Sequence, residues 1–529
     1  MVVTVLRAAA LSFVVGLLGC GQDQHGTAPG DEVMPPPPSA NAVWVDDRLH
    51  VDVPVPIVTI GFSDEEVGAL RGALQPHAVD HSYGEINQIL PLEIDGLLRG
   101  DLNEYVPLSG DVYSLPVLPT AHYDLTQANA ALEAAFQAQL DHVRLESGHF
   151  DANAMEDWLA SQLDLQSATP TVVLLHLKRF GIAEHGWHIQ GETGHRAPVR
   201  VFGERYPLVV LDPSAVEDPW VGANAEDFTR YTEASDTPVI ARFVRYLTEF
   251  RLLQGPLYAP SQKPCHAITG IMAVKSSTSI AENFLRPVSE ALVVERIQTS
   301  FEQLTGSDTY FDLKLIELPQ DDLVLDLITR LEYGGFELLK GYLTENFERF
   351  HVDHPGCAEY LSIVVENDAA SVPGWVVLYG YGAYDDDRDS RISASWVNDI
   401  YRLLADVESP LCISNCNTKE YLNLWEYLFA HETGHLLGQR HPHDVSSRSA
   451  EASSSDAFSS IWSNMSYQNE GRWIAFGQID RNNWLRNRAS LALLEAYEAG
   501  REDSPAWRAA MSAADRLDWE GVWEQLRSS

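Results

Sequence analysis

The segment HETGHLLGQRH, residues 431–441, brings three histidines, one glutamate and two glycines together at spacings that could do chemistry. His431 and His435 are four residues apart. On an α-helix this is about 40° of rotation and one turn of rise, so both imidazoles leave the same face. Two such nitrogens can bind one metal ion at about 2.0–2.1 Å each. Glu432, next to the first ligand, can reach a metal-bound water without coordinating the metal, which is the place of a general base. A third ligand requires the helix to stop and the chain to turn back. Gly438 suits that stop, because glycine tolerates positive φ at a helix C-terminus. His441 is then placed to close the site. Three neutral imidazoles on one Zn2+ leave a position for water, whose pKa falls from ~15.7 towards about 7. The five fixed positions arise by chance in roughly one chain in ten thousand of this size, which favours a zinc site over a histidine-rich helix end.

The pattern HExxHxxGxxH is the signature of the metzincin zinc peptidases, and the chain resembles that clan. Their second mark is a methionine turn. In SNMSY, residues 463–467, Met465 follows His441 by 24 residues and resembles the Met-turn residue, an apolar floor beneath the histidines. Tyr467 matches the tyrosine of astacin-like and serralysin-like members, which approaches the zinc or hydrogen-bonds the tetrahedral intermediate. The alternative for Tyr467 is a core tyrosine. Pro442 resembles serralysins, but their GGxGxD repeats are absent from the sequence, and astacins usually have Glu where Pro442 stands. No subfamily is assigned. The resemblance implies an α/β (α+β) catalytic domain over residues 257–480, with a twisted mixed sheet, an active-site helix and a small lower subdomain after the third histidine. It also implies a peptide substrate that pairs as an added strand on a sheet edge. GWVVLYGYG, residues 374–382, is the candidate edge.

The elements that must position these residues are read from periodicity. Apolar runs at 268–274, 309–318 and 359–367 predict strands, and 289–304 predicts an amphipathic helix. Residues 321–350 read as a helical region that can break at Gly334-Gly335, and 421–438 as the helix bearing the motif. Strands alternating with helices indicate an α/β arrangement. Ahead of the Pro/Gly-punctuated stretch 257–270, residues 43–256 form a separate mixed α/β N-terminal domain. It has a helix at 129–143 and buried strands at 169–180 and 206–213. No motif in it carries chemistry, and its role stays open between a binding domain and an inhibitory pro-segment. Residues 481–529 form a C-terminal helical extension expected to pack on the catalytic part.

The N-terminus reads as a processing signal. One arginine precedes a short apolar run ending in Leu17-Leu18-Gly19-Cys20, which resembles the bacterial lipobox. The resemblance implies cleavage after Gly19 and lipidation of Cys20; the alternative is an ordinary signal peptide with an incidental cysteine. Residues 20–42, with Pro35 to Pro38, look like a tether. Gly21 rather than Asp after Cys20 favours the outer membrane or cell surface of a bacterial envelope. The remaining cysteines, Cys265, Cys357, Cys412 and Cys416, are even in number, as two disulfides would require in an oxidising compartment. Cys412–Cys416 with Cys265–Cys357 is the favoured pairing; free buried thiols are the alternative.

Lys and Arg number 36 against 76 Asp and Glu, a formal charge of −40, and this field repels nucleic acid. DDDRD, residues 385–389, has the carboxylate spacing of a Ca2+ loop. However, Ser390 and Trp396 stand where an EF-hand needs Gly and Glu, so a solvated acidic loop is favoured. His185 and His188, with His176 nearby, offer a weaker second metal candidate against a default of surface histidines. His443 and Asp444 could orient the third ligand. Together these readings predict a membrane-anchored zinc endopeptidase acting on protein or peptide substrates. The alternative is a surface-binding lipoprotein with a structural or vestigial zinc site.

Overall fold

Residues 48–60 alternate apolar and polar side chains, and in the structure Leu49, Val51, Val53, Val55 and Ile57 are buried along a single strand. The structure is a computed structural model describing residues 41–80, 82–89, 104–165, 169–182, 185–190, 196–199, 201–215, 237–256, 259–275, 289–329, 335–367, 383–385, 390–398, 429–440, 463–465 and 475–527. Among these, residues 41–527 belong to one compact unit.

The first sheet contains β1 (Ala42–Val45), β2 (Arg48–Ile60), β3 (His77–Ala78), β4 (Val117–Gln127), β5 (Thr171–Leu175), β6 (Val201–Gly203) and β7 (Leu208–Leu211). Its order is β6-β7-β5-β2-β4-β3, with β1 also paired to β2. The pairs β7/β5, β5/β2 and β2/β4 are parallel. Both faces are covered, as parallel strands require. Val173, Leu175 and Val210 face α2 (Ala130–His142) and α3 (Ala152–Gln162). Val172, Leu174 and Val209 face the opposite core, with α1 (Asp64–Ala73) and α4 (Thr237–Leu247). The run read as a strand over 169–180 is a strand only to Leu175. It then tightens into a 3-10 turn, Leu177–Phe180, ended by Gly181 at φ 79°.

The second sheet contains β8 (His266–Lys275), β9 (Thr309–Leu318), β10 (Ala358–Asn367), β11 (Ala383–Asp385) and β12 (Ser390–Asn398), in the order β9-β8-β10-β12-β11. It is mixed: β9, β8, β10 and β12 run parallel, and β11 is an antiparallel edge. On one face Ile271, Leu361 and Ile363 pack with Leu325 of α6 (Leu323–Thr329) and Leu339 of α7 (Gly335–Glu345). On the other, Ile268, Met272, Tyr360 and Val364 pack with α5 (Ser289–Thr305) and the helix carrying the motif. The expected edge 374–382 lies outside the described residues; β11 begins one residue after it. Cys265 is bonded to Cys357, and Ala358 N–H donates to Cys265 O at 2.9 Å, so the disulfide joins the starts of neighbouring strands β8 and β10. Cys412 and Cys416 lie outside the described residues.

The tail forms α9 (Gln478–Glu498), α10 (Pro505–Ala514) and α11 (Trp519–Arg527). It packs less on the second sheet than its position in the sequence predicts. Trp484 joins the core beneath the motif, but Ile479, Ala489, Leu493, Trp507, Val522 and Trp523 fill the core of the first sheet. Side chains of α9 also bind the segment between the sheets. Arg486 Nη2 donates to Gln254 O at 2.7 Å, and Arg488 Nε donates to Ser261 O at 3.1 Å.

Candidate metal centre

Among the described residues the motif helix, α8, runs from 429 to 436. Phe429, Ala430, Leu436 and Leu437 bury its apolar side against Ile268, Met272, Ile297 and Phe301, which fixes the direction of the remaining face. The helix ends where glycine predicts. Gly438 has φ 91°; its N–H donates to His435 O at 2.8 Å, and Gln439 N–H donates to Gly434 O at 2.9 Å. This pair of bonds is the Schellman arrangement, which satisfies carbonyls left over at a helix end and reverses the chain. Beyond it, Arg440 donates through Nε and Nη2 to Pro256 O, each at 3.2 Å, immediately before the position of His441. His441 itself lies outside the described residues, as do Pro442, His443, Asp444, Tyr467 and Cys20.

His431 and His435 are brought together as their spacing predicts, with ring centroids 4.9 Å apart and planes at 88°. His431 Nδ1 lies 2.8 Å from Asn464 O, and His435 Nδ1 lies 2.9 Å from Gln439 O. A carbonyl oxygen only accepts, so each Nδ1 carries the hydrogen, and the neutral ring's lone pair is on Nε2. Glu432 is 2% exposed, and its Oε2 has no hydrogen-bond partner among the described residues. Burial pushes the Glu432 carboxyl up to about 8. Two imidazoles oriented through Nδ1, with a buried carboxyl next in sequence to the first, are residue types that could hold a metal ion.

The methionine segment lies against this helix. Met465 is fully buried, in the same core as Phe429, Leu436 and Phe476. The residue before it supplies the carbonyl that orients His431. Gly434, between the two histidines, is the residue on which Met465 packs. Its part was passed over in the sequence, although the one-atom side chain in HETGH is a readable signal. No family model matches this chain, and no curated protein matches it.

The weaker candidates resolve differently. His185 is buried, its Nε2 2.7 Å from Asp212 Oδ2, and Trp187 Nε1 donates to the same oxygen at 2.8 Å. His188 stacks on His149 at 4.6 Å, and His176 lies 3.8 Å from Glu66, so these histidines are partnered separately. Asp385 closes the β11–β12 pairing opposite Ser390, and Trp396 lies in β12; Asp387 and Asp389 are outside the described residues. A group passed over in the sequence is His351, Asp353 and Glu359, whose ligand atoms lie within 4.8 Å of one another. The signal was HVDH in the loop before β10.

Proposed function

We propose that this chain is a zinc-dependent endopeptidase of metzincin kind, secreted and held at a bacterial envelope through Cys20. The observation that carries the reading is the state of three neighbouring side chains. His431 and His435 are each fixed with the lone pair on Nε2, and the buried Oε2 of Glu432, the next residue in sequence after His431, has no hydrogen-bond partner among the described residues. Buried polar atoms are rarely left unsatisfied, and a metal-bound water would give Glu432 Oε2 a partner.

In this reading His431 and His435 would hold Zn2+, with His441 as the third ligand expected from the sequence. When bound, the ion supplies a Lewis acid that brings the ionisation of water near neutral pH. Glu432 takes the proton from the attacking water and returns it to the leaving amine nitrogen. Tyr467 is expected to donate to the oxyanion of the tetrahedral intermediate. The mixed sheet with an antiparallel edge supports the reading, because a peptide can add to β11 as a further strand.

The test is Glu432→Gln in the full chain. The variant should keep its zinc by metal analysis and lose roughly 10²–10⁴-fold in cleavage of a generic peptide library. Undiminished cleavage would sink the mechanism. Terminal-amine profiling of cell-surface proteins, wild type against Glu432→Gln, then identifies the substrate.

A further inference from the structure

A continuous chain of buried polar contacts runs from the first sheet to His431. Arg251, fully buried, donates from Nε to Glu204 Oε1 at 2.6 Å and from Nη2 to Glu204 Oε2. Its Nη1 donates to Asp480 Oδ1 at 2.6 Å. Burial alone would depress the guanidinium, but Asp480 and Glu204 hold its pKa above the ordinary value, so it stays charged. The other oxygen of Asp480 accepts from Ser463 Oγ at 2.7 Å and from Gly477 N–H at 2.9 Å. Ser463 Oγ accepts from Met465 N–H at 3.0 Å. Between these two residues Asn464 presents the carbonyl that holds His431 Nδ1 at 2.8 Å.

Desolvating two carboxylates and a guanidinium is costly, and well-packed apolar side chains would hold the same elements together at least as well. What the charged chain adds is a fixed direction at each joint. The geometry points to Glu204, Arg251 and Asp480 as positioning residues of the metal centre. Acting through Ser463, they set the place of the Asn464 carbonyl and with it the tautomer and orientation of His431. This rests on the zinc reading above. It gives the first block a permanent part in the catalytic unit, which a detachable inhibitor would not have.

The test uses the full chain with Ser463→Ala, which cuts the link while leaving the ion pair intact, and Ser463→Thr, which restores the hydroxyl. Zn2+ affinity is measured by competition with a chromophoric chelator, and circular dichroism reports the fold. Ser463→Ala should weaken zinc binding roughly 10–100-fold, the cost typical of losing a group that orients a metal-binding histidine, and Ser463→Thr should recover most of it. In the metal-free protein, imidazole nitrogen NMR should show His431 losing its single Nδ1–H tautomer in Ser463→Ala. If Ser463→Ala does not fold, Asp480→Asn is read on the same two measurements. A folded variant with wild-type zinc affinity and an unchanged tautomer would overturn the inference. A wild-type protein that binds no zinc would overturn the zinc reading instead, and the tautomer measurement would still decide the positioning role.

Discussion

The sulfur of Met465 occupies the space that a side chain on Gly434 would need: a Cβ built there would lie 2.5 Å from Met465 Sδ. Gly434 sits between His431 and His435, so its missing side chain lets the methionine rest directly on the turn that carries the two histidines. Gly434→Ala should push Met465 and its turn away from the helix. The expected cost is about 1–3 kcal/mol of stability, as for other overpacked cores. Zinc retention should fall with it, because Asn464 moves with Met465. Denaturation midpoints and zinc content of the purified variant check this. Unchanged values would mean that the turn carries no strain into the site.

The Cys265–Cys357 bond closes 92 residues of chain. Loop-closure entropy alone assigns such a crosslink roughly 4–5 kcal/mol. The Cys265→Ala/Cys357→Ala variant should therefore unfold at clearly lower urea concentration, with an unchanged ordered circular dichroism spectrum in buffer. An equal midpoint would show that packing of β8 on β10 holds these strand ends without the bond.

Asp212 gives the protein an acid limb. Burial alone would raise its carboxyl, but hydrogen bonding and charge from His185, followed by Trp187 and Ser214, bring it below the ordinary 3.8. With the folded pKa depressed, this carboxylate contributes stability above the unfolded value. That contribution is lost as pH falls through the folded one. Asp212→Asn should be less stable than wild type at pH 6 and lose less between pH 5 and pH 2. Parallel urea titrations across that range check the difference; equal slopes would remove Asp212 from the acid response.

A chain beginning at residue 256 would lack Arg251 and the whole first sheet. It would leave Asp480 buried without its cation and expose Ile479, Ala489, Leu493, Trp507 and Val522 on the tail helices. The expected product is aggregated, or compact without cooperative unfolding. A soluble fragment that binds zinc and cleaves peptides faster than the full chain would instead make the first block a removable pro-segment.

The legible parts of the sequence were those whose pattern is local. β8, β9 and β10 are uninterrupted or alternating apolar runs, and α2 and α5 have helical spacing; each lies where its pattern predicts. His431, Glu432, His435 and Gly438 were legible because a helix and its stop fix their relation without help from elsewhere. β2 was hidden by Pro54 and Pro56, residues that usually count against a strand. They fit because β1 pairs with β2 only to Val51 and β5 only from Ile57. The prolines therefore fall where, among the described residues, β2 has β4 alone beside it. Glu204, Arg251 and Asp480 left no sequence signal at all. Buried ion partners 47 and 229 residues apart look like any surface charges until the fold brings them together.

The described chain starts where it nearly ends. Ala42 N–H donates to Asp515 Oδ1 at 3.2 Å, and the Trp44 ring meets those of Tyr497 and Trp507, each at 5.1 Å. The first sheet thus borrows one wall of its core from the last helices. A ribosome making this protein releases β2 and β4 long before α9 to α11 exist to cover them. Completion of this core therefore waits for the last helices. Until the final turns of the chain arrive, the part of this core filled by Trp507, Val522 and Trp523 stays open. Loss of the last helices is therefore expected to damage the first sheet, the element farthest from them in sequence.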